Sequence, residues 1–79
     1  MRIDGYDIKE EIEYEVNKNG GEIPVELAVK MTTLPNDRIL VVDEEGRDFF
    51  LRDIDFNDYV VISVEEVEED GATLLVREV

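Results

Sequence analysis

From Tyr6 to Val16 the chain alternates: Tyr6, Ile8, Ile12, Tyr14 and Val16 share one parity, with Glu10 the exception, while Asp7, Lys9, Glu11, Glu13, Glu15 and Asn17 fill the other. A period of two is the mark of a half-buried strand. The same residues also satisfy a helix, because Ile8, Ile12 and Val16 recur every four positions, Asp7 and Glu10 fit a capping box, and Asn19-Gly20-Gly21 supplies a stop. On that helix Tyr14 would point away from the apolar stripe, so the alternation predicts a strand.

The next segment alternates as well, with Ile23, Val25, Leu27, Val29 and Met31 apolar and Pro24, Glu26, Ala28 and Lys30 between them. Folding the chain at the glycines with Val16 opposite Ile23 sorts both segments into one wet and one dry face, as an antiparallel pair requires. Pro24 marks an outer strand because it cannot donate to a ladder. "TTLPND" at 32–37 reads as a turn. "RILVVD" and "RDFFLRD" follow as strands joined through Gly46, with Asp43 able to face Arg47. Both are apolar on both parities, which predicts a central position covered on both sides. The last hairpin turns at Asp70-Gly71. Val60, Ile62 and Val64 share a parity that Val67 breaks, which predicts a bulge near Glu65 or Glu66.

The expected fold is all-β: a small antiparallel meander of six strands, closed as a barrel or folded as a two-layer sandwich. If the first segment is helical instead, the expectation becomes α+β, one N-terminal helix and five antiparallel strands.

Composition changes this picture mainly through charge. The 79 residues suit one domain, residues 1–79, and 22 acidic against 8 basic residues give a formal net charge of −14. A small designed domain typically carries a net charge of about 2 to 8 in magnitude. Such a field repels DNA, RNA and anionic lipid, which are bound by Lys and Arg neutralising phosphates. A hydrophobic content of 43% argues for a folded chain over a disordered one. With no cysteine there are no disulfides to hold the fold, and the expected location is the cytoplasm. The N-terminus lacks the apolar run of a signal peptide, and no stretch approaches the roughly 20 apolar residues of a membrane span.

The chemistry available is narrow. Without His or Cys, the His-based triads, Cys nucleophiles and usual zinc ligand sets drop out. Ser63, the single serine, lies mid-strand with no neighbouring base. No glycine-rich phosphate-binding motif occurs, and Gly20 with Gly21 reads as a turn. The chain is expected not to be an enzyme and to hold no cofactor or metal. Asp53, Asp55 and Asn57 match the first ligands of a calcium loop, but Asp58 stands where that loop needs Gly and Val64 where it needs Glu. Ile54 and Phe56 are instead expected to turn inward, with Asn57 and Asp58 making the turn into Tyr59.

What remains is surface. Asp43, Glu44 and Glu45 fall on one hairpin tip, and Glu65, Glu66, Glu68, Glu69 and Asp70 on another. As a plain solvated face they would aid solubility and blunt sheet edges. As a recognition surface, rows of carboxylates imitate phosphates and compete for the Lys and Arg of a nucleic-acid channel. In size and charge the chain is similar to small acidic inhibitors of phages and mobile elements, including anti-CRISPR proteins and nucleic-acid mimics. That resemblance is one of composition and transfers no residue. It implies an inhibitor that blocks a basic nucleic-acid-binding protein, acting as a monomer or homodimer. Two alternatives stand beside it: a non-catalytic adaptor or assembly subunit binding through an apolar face or strand edge, and a protein sequestering a small ligand near Tyr6, Tyr14 or Tyr59.

Overall fold

The first segment is a helix. In the computed structural model, which describes residues 5–79 and their side chains from Ile8 onward, α1 spans Gly5–Lys18. Ile12 and Val16 are buried and Ile8 packs on the core, so the four-residue spacing prevails over the alternation. The cost is visible at Tyr14, left 64% exposed. The helix starts two residues before Asp7, so Asp7 is not its cap, and the side chains of Tyr6 and Asp7 lie outside the described residues. Its end is where the glycines place it. Gly21 N donates to Val16 O at 2.8 Å, Gly20 N faces Asn17 O at 3.4 Å, and Gly20 takes φ +82°. This is a Schellman stop, whose left-handed position glycine fills without a Cβ clash.

The second segment is split. Ile23–Pro24 forms a short strand, β1, and Val25–Thr32 forms α2. Pro24, at φ −60° and ψ 142°, directly precedes the first helical residue, where a missing N–H costs nothing. Val25, Ala28 and Thr32 are buried at helical spacing, whereas Leu27 stays 39% exposed. The expected hairpin of residues 6–31 is therefore absent, and with it the all-β fold. Alternation misled because Ala28, small enough for close helix packing, reads as an outward position, and Thr32, expected to open the turn, is instead the buried last residue of α2.

The remaining strands are β2 (Ile39–Val42), β3 (Asp48–Phe50), β4 (Tyr59–Glu68) and β5 (Gly71–Glu78). They join β1 in one five-stranded sheet of order β1-β4-β5-β2-β3. All neighbours are antiparallel except β2 and β5, which run parallel with Ile39 opposite Ala72 and Val42 opposite Leu75. The architecture is α+β with a mixed sheet, closer to the one-helix alternative than to the meander but with a second helix and a parallel pair. Residues 51–58 lead from the β3 edge back to β4 through two 3-10 turns, Leu51–Asp53 and Phe56–Asp58. Leu51 is fully buried on the way, and Ile54 and Phe56 pack inward as expected, though from turns and not from a strand end.

One core cluster joins Ile12 and Val16 of α1, Val25 and Ala28 of α2 and Leu51 to the sheet residues Ile39, Val41, Val61, Val64, Ala72, Leu74 and Val76. These sheet residues alternate in register, so the helices cover a single face. Two register shifts interrupt β4 against β5, at Ile62 and at Glu65, the second where the parity break placed a bulge. β3 is an edge strand, and neither it nor β2 is covered on both sides: Phe50 is 50% and Leu40 37% exposed. Their double-sided apolar character faces the core on one side and an open sheet surface on the other.

Candidate functional site

The first acidic tip is rigidly built. Asp43 accepts from the Glu45 and Arg47 backbone N–H groups through Oδ1, each at 2.9 Å, and from Arg47 Nε through Oδ2 at 2.8 Å. Gly46, at φ +84°, closes the loop with its N–H on Asp43 O at 3.0 Å. The Arg47 N–H contributes most to holding the Asp43 carboxyl below its ordinary value; its guanidinium and the Glu45 N–H add to this, against partial desolvation. Asp43 is thus nearly buried and fully occupied within the loop, which leaves Glu44 and Glu45 as the exposed acids. Glu45 accepts from Arg47 Nη2 at 3.0 Å.

The second tip is a crowd of like charges. Glu66 lies opposite Thr73 and Glu68 opposite Gly71, so they share a face of β4. A hydrogen bond with Glu66, then the charges of Glu66 and Asp70 together with desolvation, push the Glu68 carboxyl above its ordinary value. Glu65, Glu66, Glu68, Glu69 and Asp70 are all exposed.

The parallel β2–β5 pair sends these tips to opposite ends of the sheet. The β2–β3 tip adjoins the end of β5, where Val79 N donates to Asp58 O at 2.9 Å and Arg77 pairs with Glu22. The β4–β5 tip adjoins the start of β2, where a Cβ on Gly71 would stand 3.4 Å from Arg38 O. The eight residues of β5 separate them, on the order of 20 Å at strand rise. The eight acids singled out in the sequence therefore form two sites and not one.

Between the tips lies the open sheet face, which inspection of the acids alone passes over. In register, one row runs Phe50, Leu40, Thr73, Glu66 and the next Asp48, Val42, Leu75, Ser63, with Val60 beyond them opposite Arg77. Apolar side chains thus make a diagonal band from Phe50 through Leu40, Val42 and Leu75 to Val60. Asp48 flanks the band on one side, Glu65 and Glu66 on the other. A shallow depression of about 430 Å³ is lined by Val42, Asp48, Glu65, Glu66 and Thr73. The Arg52 guanidinium sits 5.3 Å from the Phe50 ring centroid, so this edge of the face already engages a cation. Ser63 belongs to this surface and pairs with Leu75.

The other candidates disperse. Asp53, Asp55, Asn57 and Asp58 are exposed, and Asp55 uses its carboxylate to accept the Asn57 N–H at 2.9 Å, a local turn. Among the described residues, no three side chains of metal-ligating type come together. Tyr59 packs on the core with its ring 6.5 Å from that of Phe49, whereas Tyr14 is exposed on α1. No described helix is long and apolar enough to cross a membrane. Comparisons with protein families, curated proteins and solved structures give no match.

Proposed function

We propose that this chain is a non-catalytic protein-binding domain that occupies a basic surface of its partner and blocks nucleic acid from binding there. The observation that carries this reading is the open sheet face, where a diagonal apolar band lies between carboxylates on both sides. Apolar area supplies affinity, and carboxylates steer and select a cationic partner. A net charge of −14 extends that attraction beyond the contact itself. The same exposed apolar residues favour a second reading, an adaptor that binds through the sheet face without regard to charge.

A pull-down eluted in steps of rising salt separates the two. The inhibitor reading expects a basic nucleic-acid-binding protein released at moderate salt, whose nucleic-acid binding is lost when the purified domain is added at equal concentration. An adaptor holds its partner as firmly, or more firmly, as salt rises. Capture of a partner whose nucleic-acid binding is unchanged by the domain overturns inhibition.

A further inference from the structure

We infer that the open sheet face receives a basic amphipathic helix of the partner, laid along the diagonal from Phe50 to Val60; this rests on the partner-binding reading above. Three features of the face select that occupant. The band crosses β3, β2, β5 and β4 obliquely, so its shape matches a rod lying over the sheet and not a strand added to it. The exposed edges are poor templates for an added strand: β3 spans only Asp48–Phe50, and β4 beyond its two-residue pairing with β1 is broken by bulges at Ile62 and Glu65 and carries Glu65, Glu66 and Glu68. Finally, Asp48 on β3 and Glu66 on β4 stand three strand spacings apart, roughly 14 Å, and bracket the roughly 10 Å width of a helix.

A helix with an apolar stripe toward Leu40, Val42 and Leu75 would carry Lys or Arg on both flanks, where they reach Asp48 on one side and Glu65 and Glu66 on the other. Charge also decides against a second copy of this chain. Two such faces, each belonging to a chain of net charge −14, would bring Asp48, Glu65 and Glu66 of both copies together, with only Arg52 and Arg77 at the two ends of the band to offset them.

The test uses three synthetic peptides of about 18 residues, five helical turns. One places Leu at helical period among Lys, one alternates Leu and Lys at the same composition, and one is Lys alone. Binding is followed by amide chemical shifts of the labelled protein. The expected result is that the helical peptide binds at least tenfold more tightly than the others, with shifts concentrated at Leu40, Phe50, Thr73 and Leu75. Leu40→Asp and Phe50→Asp, both at exposed positions, should each weaken it about tenfold, whereas Tyr14→Asp on α1 should not.

Equal binding of all three peptides would reduce the effect to charge and overturn the inference. So would shifts centred on the helices. A dimer in sedimentation that Leu40→Asp dissociates would put a second copy on the face. If a salt-eluted basic partner still binds Leu40→Asp and Phe50→Asp unchanged, the helix site is wrong while the partner reading stands. If the helical peptide binds as expected but no basic partner is captured, the reverse holds.

Discussion

Val42 lies opposite Leu75 on a parallel ladder, and this pairing places the Asp43–Arg47 loop and the Glu69–Asp70 turn at opposite ends of one sheet. The two acidic tips are therefore separate clusters, joined only by the open face between them.

Separation of this kind makes charge reversal at the two ends independent. Glu44→Lys with Glu45→Lys, and Glu65→Lys with Glu66→Lys, should each weaken a basic partner, and the combined variant should show the product of the two fold-losses. Titration at two salt concentrations measures this. A loss from one pair only would confine the partner's footprint to that end.

Asp43 links the first loop to pH. Its folded pKa is depressed from an ordinary value of 3.8, so it adds stability above that value, and the contribution fades as pH falls through the lower, folded pKa. Asp43→Asn should melt earlier than the parent at pH 7, and the gap should close in strong acid. A gap that persists unchanged at pH 2 would mean that shape and not charge holds the loop.

Glu68 carries the opposite sign. Its pKa is raised from an ordinary 4.5, so the folded state holds the proton more tightly and stability drops as pH climbs from that value through the folded pKa. Glu68→Gln should therefore raise the melting temperature at pH 7 and leave it unchanged near pH 3. Added salt should raise the parent's melting temperature in the same direction, since screening relieves like charges.

Thr33 caps α2 at φ 58°, a left-handed position that a β-branched residue adopts at a cost of about 1 kcal/mol. Thr33→Asn, a residue that tolerates this region, should stabilise the fold by roughly that amount, about 4–8 °C for a domain of this size. Thr33→Val keeps the strain and loses the hydroxyl bond to Thr32 O, so it should melt earlier in the same calorimetric series.

Leu51 is fully buried in a turn, whereas Leu40 is 37% exposed in a strand. Leu51→Ala should cost about 2–5 kcal/mol, a large part of a total near 4–12 kcal/mol, while Leu40→Ala should stay near 0.5 kcal/mol. Denaturant unfolding compares them. Equal losses would mean that the open face is covered after all.

The sequence by itself determined the features that depend on neighbours in the chain. Gly46 in its left-handed turn, the Asp43–Arg47 pair, the stop at Gly20 and Gly21, and the bulge at Glu65 all follow from local conformational preference and short-range bonding. The inward turn of Ile54 and Phe56 was equally legible. Only the tertiary structure decided between helix and strand for residues 5–32. There both periods were satisfied, and the choice rested on whether Ala28 could be buried by a close-packed neighbour. It alone also paired β2 with β5. That contact joins residues more than thirty positions apart, closes a loop whose entropy local pattern cannot register, and leaves exposed the apolar face that the partner reading depends on.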